Sequence, residues 1–221
     1  MTRISRRTFS LLLLLLASFA HAGVLLQFEY PALLIFESKD GIYGYYGSTL
    51  SSVDEIRPRP VECKFFFYSA GESSKAAVRY SAKVFFTEKS FVKRKKSYDG
   101  TASIFRQDSD WVIQMQRQDA GCDSAAGWNF RLGPNDREVT KFEVTGSVNA
   151  IYLRLVVKKA NLFFRRGENF SQSRKFLVPG DVVAILDEEK DFSNIRFLNS
   201  RTNQTIEGWV RTEALVNPFP N

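Results

Sequence analysis

Beyond residue 22 the apolar residues recur mainly at every second position, and that period restricts the chain to β-strands. Val78-Arg79-Tyr80-Ser81-Ala82-Lys83-Val84-Phe85-Phe86 alternates as a half-buried strand does. Residues 64–68, 111–116, 139–145 and 151–157 read the same way. Turn chemistry separates these runs at Asp40-Gly41, Asp99-Gly100, Gly133-Pro134-Asn135-Asp136 and Gly146-Ser147. Residues 47–60, with Pro58 and Pro60, form the longest expected loop. No window outside the first 22 residues carries an amphipathic helical stripe. The pattern predicts an all-β fold, an antiparallel β-sandwich or barrel.

The first 22 residues read as an export signal. Arg3, Arg6 and Arg7 give a positive start, residues 11–19 an apolar core, and Ala20-His21-Ala22 a small-x-small cleavage pattern. An apolar core of about ten residues is too short to span a bilayer, so no transmembrane anchor is expected. Ser5-Arg6-Arg7-Thr8-Phe9-Ser10-Leu11 also fits the twin-arginine pattern, but six consecutive leucines favour the general secretory route. Cleavage near Ala22 removes the one histidine and sends the chain to the periplasm or the medium. There Cys63 and Cys122, the two cysteines, are expected to bridge and staple the N-terminal domain. Without histidine or free thiol the chain lacks the commonest bases, nucleophiles and soft-metal ligands. No catalytic residue, metal or cofactor is therefore assigned.

The full chain carries a formal charge of +7. Loss of three arginines and no acid with the signal leaves about +4, too little to argue for nucleic acid. Lys89, Lys93, Arg94, Lys95 and Lys96 form the clearest cluster. They read as a solvated loop, or as a docking patch for an acidic partner if Arg79, Arg106 and Arg117 share their face.

Four blocks in the C-terminal part resemble the bacterial SH3 (SH3b-like) family. Leu162-Phe163-Phe164-Arg165-Arg166-Gly167 stands where that family has its opening strand and loop, and Leu177-Val178-Pro179-Gly180-Asp181-Val182-Val183 where it has its glycine-aspartate segment. Asp191 to Phe197 occupies the next strand, and Gly208-Trp209-Val210 with Leu215 the closing one. The family's Gly-Pro-Ser is here Gly167-Glu168-Asn169, and its middle-strand tryptophan is Phe192. The resemblance covers residues 160–216 and implies a small SH3-like β-barrel, with peptidoglycan as the ligand the family would bind. The expected organisation is a signal at 1–22, a disulfide-stapled β-domain at 23–157 and an SH3-like domain at 158–221.

Other motifs yield to plainer readings. Ser90-Phe91-Val92-Lys93 has the spacing of a serine-lysine acyl enzyme but lies in a basic stretch without the helix that chemistry requires. Gly41-Ile42-Tyr43-Gly44-Tyr45-Tyr46-Gly47 suits a strand better than a phosphate cradle. Asp108-Ser109-Asp110 and Asp187-Glu188-Glu189 fit polar hairpin tips better than calcium loops. Gln114, Gln116, Gln118 and Asp119 form a polar row beside Trp111 and Trp128, a contact face or the solvent side of an edge strand. The candidate binding surface is Tyr43, Tyr45, Tyr46, Lys93, Arg94, Lys95, Lys96, Trp128 and Trp209, since rigid aromatics and cations dominate recognition. The expected function is an exported noncatalytic binding protein with a protein partner in the cell envelope, such as a hydrolase or toxin it inhibits. The alternative is a peptidoglycan-associated wall protein, and a carboxylate-dependent wall hydrolase is the third reading.

Overall fold

The structure is a computed structural model that describes residues 23–29, 33–50, 61–70, 79–116, 122, 130–199 and 202–220. Residues 1–22, read above as an export signal, Trp128, Arg117, Gln118, Asp119 and most of the expected long loop lie outside them. Eight antiparallel strands form a closed barrel in chain order: β1 (Gly23–Phe28), β2 (Leu33–Ser38), β3 (Gly41–Leu50), β4 (Val61–Ala70), β5 (Arg79–Phe85), β6 (Gly100–Gln107), β7 (Asp110–Met115) and β8 (Phe142–Ala150). Pairing of β1 with β8, from Gly23 opposite Ala150 to Phe28 opposite Val144, closes it.

Alternation decides what lies inside. Along β5, Tyr80, Ala82 and Val84 are buried while Arg79, Ser81 and Lys83 are exposed, as a strand with one wet face requires. The interior is filled by rings: Tyr80 stacks on Trp111 at 5.9 Å between centroids, and Tyr46 on Phe65 at 5.3 Å. Such pairs add about 0.5–1.5 kcal/mol each beyond the area they bury. Gly44 has no side chain because the Phe67 ring occupies the place of its Cβ.

On β1 and β2 both faces are buried. Leu26, Leu33 and Ile35 point into the barrel, and Leu25, Leu34 and Phe36 point out against a second sheet. That curled sheet has seven strands: β9 (Tyr152–Val156), β10 (Ala160–Arg166), β11 (Asn169–Leu177), β12 (Val182–Glu189), β13 (Phe192–Asn199), β14 (Gln204–Arg211) and β15 (Leu215–Val216). Their order is β11-β10-β14-β13-β12-β9-β15. Strand β9 lies inside the range read as the first domain, yet it pairs with β12 and β15 and opens the second sheet. The chain passes from one sheet to the other through the single residue Ile151, and a shared apolar layer with Leu153, Leu155, Val182 and Phe219 fills the space between them.

The structure bears out the all-β class and the bridge between Cys63 and Cys122. Gly146-Ser147, expected as a turn, instead runs through β8 opposite Leu26 and Gln27. The irregularity that glycine signalled is a register shift between Gln27 and Phe28, a bulge within the ladder.

Candidate binding surface

Residues 86–99 leave the barrel between β5 and β6 and fold back on it as a loop with two short 3₁₀ turns, Phe91–Lys93 and Lys96–Tyr98. Thr87 fastens the start: its hydroxyl accepts from the Lys89 N–H at 3.1 Å and donates to the Ser90 carbonyl at 3.0 Å. The Phe91 ring then docks edge-on against Phe85 at 5.0 Å and Tyr68 at 5.9 Å, tying the loop to the barrel's outer face.

Arg94 holds the rest. Its guanidinium lies 3.8 Å from the Phe91 ring centroid and donates to the Phe91 carbonyl at 3.1 Å. It also grips Asp99 with two parallel bonds, Nε to Oδ1 at 2.9 Å and Nη2 to Oδ2 at 2.7 Å. A forked guanidinium suits this pairing where an ammonium would not. One cation of the basic run is thereby spent on structure.

The lysines are left over. Lys89, Lys93, Lys95 and Lys96 are exposed, and none has a carboxylate partner among the described residues. Between them Val92 is 82% exposed, the most open large apolar side chain described, and Tyr98 is 38% exposed. The loop therefore exposes Val92 together with four lysines that lack a carboxylate partner among the described residues.

The remaining sequence candidates do not join it. Tyr46 is buried inside the barrel, between Phe65 and Phe130, and so is not on the surface. Tyr43 is half-buried against Phe219, and burial raises its phenol pKa. Tyr45 packs on Phe66 at 4.9 Å, and burial followed by the nearby Asp181 charge raises its pKa well beyond the ordinary value. Trp209 is buried in the second sheet, edge-on to Phe170 at 5.3 Å with the Arg165 guanidinium 5.5 Å from its ring. Trp128 lies outside the described residues. Arg79 sits at the far end of β5, roughly 20 Å of strand from Phe85, bonded to Ser103. Arg106 is committed to Glu37 at 3.1 Å. Neither extends the basic patch. Lys83, which the sequence reading did not single out, does: it lines a cleft with Phe91 and Arg94.

Two carboxylate runs are as plain as their sequence. Asp108 sits in the β6–β7 turn with φ 55°, and Glu189 closes β12 with an ion pair to Arg165 at 2.7 Å. Gln114 and Gln116 are held by the Arg131 carbonyl and the Thr101 hydroxyl. No group of three or more histidine, cysteine or acidic side chains that could hold a metal gathers among the described residues.

A groove of about 430 Å³ runs between the sheets, lined by Tyr45, Thr49 and Lys64 on the barrel and by Phe176, Asp181 and Asn199 opposite. Asp181 is committed there, accepting the Val178 N–H at 2.8 Å, and burial raises its pKa despite that bond and Lys64. Comparison with protein families, with curated proteins and with solved structures finds no match.

Proposed function

We propose that this chain is an exported, noncatalytic binding protein that recognises an acidic protein partner through the 86–99 loop. The observation that carries the reading is the division of labour in Lys93-Arg94-Lys95-Lys96: Arg94 is consumed by the loop's own architecture while the lysines face outward unpaired. A loop fixed before contact loses little conformational freedom on binding, which favours affinity. Unpaired surface cations steer an acidic partner and set its orientation. The bridge at Cys63–Cys122 and the all-β build suit an oxidising compartment outside the cytoplasm, where the partner would be met. An exported hydrolase or toxin held in check is the form of partner that a small rigid protein of this kind fits.

The test compares the wild-type protein and Lys93→Glu/Lys95→Glu/Lys96→Glu as baits for envelope extracts at low and high salt. A partner retained by the wild type, released by salt and absent from the variant supports the reading, provided both melt at the same temperature. A partner held equally by both baits sinks it. Sedimentation with purified peptidoglycan, unaffected by the triple change, would transfer the function to the second sheet and to the wall.

A further inference from the structure

We infer that the cleft at the foot of the 86–99 loop is a binding site for a small amphipathic carboxylate, an apolar body of roughly ten carbons with one anionic end. This inference does not depend on the protein partner. The opening arises from strand lengths. β4 begins at Val61, but its pairing with β5 stops at Phe66, opposite Phe85, where β5 ends. Below that point the barrel wall parts beside β4, and a cleft of about 250 Å³ enters it.

Its floor is apolar: Phe65, Val84 and Met115 from the barrel interior, with Phe85 and Phe86 at the side. Its rim carries Glu62, Lys64, Lys95, Tyr98 and Asp99. Both carboxylates are already neutralised, Glu62 by Lys64 at 2.9 Å and Asp99 by Arg94 at 2.7 Å. Among the described residues of the rim Lys95 alone has no carboxylate partner, its ammonium 5.9 Å from the Tyr98 ring centroid. An apolar floor beneath one unpaired cation selects a ligand with a hydrocarbon body and a negative end. A cationic amphiphile of the same length meets the same floor and the wrong charge.

The fold also supplies a clean probe. Gly100 lines this cleft and the adjoining lobe that holds Lys83 and Arg94. A Cβ at Gly100 would meet nothing within 4 Å, so a larger side chain can start there without a clash and is expected to take up space at the cleft. Met115 lies in the floor, and Met1 is the one other methionine.

The experiment labels the methionine methyls with carbon-13, assigns them with Met115→Leu, and titrates the purified protein with decanoate and with decyltrimethylammonium below their micellar concentrations. Decanoate is expected to shift the Met115 methyl saturably and to bind at least tenfold more tightly than the cation. Lys95→Gln is expected to weaken it about fivefold. Gly100→Leu is expected to abolish it at unchanged melting temperature, and it leaves the exposed lysines in place, so its effect reports on the cleft and not on partner docking. A Met115 signal unmoved by decanoate, or equal affinity for both head groups, overturns the inference. Should Gly100→Leu fail to fold, the head-group comparison and Lys95→Gln still decide it.

Discussion

The ring of Phe219 meets the ring of Tyr43 edge-on, 5.2 Å between centroids, and through that contact the segment after β15 is fastened to the outside of the barrel. Phe219 also lies 5.7 Å from Phe66, and it is buried. The chain leaves β15 on the second sheet and crosses back to the first, so this one side chain belongs to the layer that joins them.

Phe219→Ala should therefore destabilise the protein by about 3 kcal/mol, as loss of a buried phenylalanine ring does. Tyr43→Phe, which keeps the ring, should be nearly neutral. Urea unfolding of both variants is the measurement. A loss under about 1 kcal/mol for Phe219→Ala would mean that the tail decorates the joint without closing it.

Reduction of the bridge should cost more. Cys63 and Cys122 are 59 residues apart in sequence, and closing a loop of that length removes about 4 kcal/mol of unfolded-state entropy. Cys63→Ser/Cys122→Ser should lower the denaturant midpoint accordingly while leaving the far-ultraviolet strand signal in place. A midpoint that does not move would mean the bridge adds nothing that the ring-filled barrel lacks.

How much of this was legible in the residues follows from the range of each interaction. Alternation in residues 78–86 located β5 and its buried face because side-chain direction in a strand depends on the backbone alone. The bridge was legible because two cysteines leave one intramolecular pairing. The fate of Tyr43, Tyr45 and Tyr46 was not, since one strand presents them alternately to the interior and to a second sheet that begins more than a hundred residues later. Burial on both faces gives no polar face to read. Within the basic run, the split between Arg94 and the lysines depends on Asp99 and Phe91 folding back around one guanidinium. A spacing of five from Arg94 to Asp99 was the one local sign, and it acquires meaning only once the 3₁₀ turns are known.

Asp181 should make stability depend on pH in a direction opposite to that of an ordinary paired carboxylate. Burial holds its folded pKa above the ordinary 3.8, so in the interval above 3.8 the folded state keeps a proton that the unfolded state has lost. Its stabilising contribution is full below 3.8 and is lost as pH rises through the raised value. Asp181→Asn keeps an acceptor for the Val178 N–H and has no charge to bury. The variant should gain on the wild type as pH climbs from 3.8 and level off above the folded pKa, as read by chemical unfolding across that range. A difference that stays flat with pH would show that Asp181 is solvated in the groove.

Arg94 gives the sharpest test of the loop. Arg94→Ala removes the bidentate grip on Asp99, the bond to the Phe91 carbonyl and the layer over the Phe91 ring at once. The pair is partly exposed, so the global cost should be only about 1 kcal/mol. Locally the effect should be far larger, because residues 86–99 have few other ties to the barrel. Amide hydrogen exchange in that segment should accelerate tenfold or more while the strands β3 and β6 keep their protection. Arg94→Lys should restore little, since an ammonium cannot pair both Asp99 oxygens and cover the ring together. Alanine at Lys93 or Lys96 should leave exchange unchanged, as both side chains are exposed and neither is joined to Asp99. Equal protection in Arg94→Ala and wild type would remove the preorganised projection on which the binding function rests.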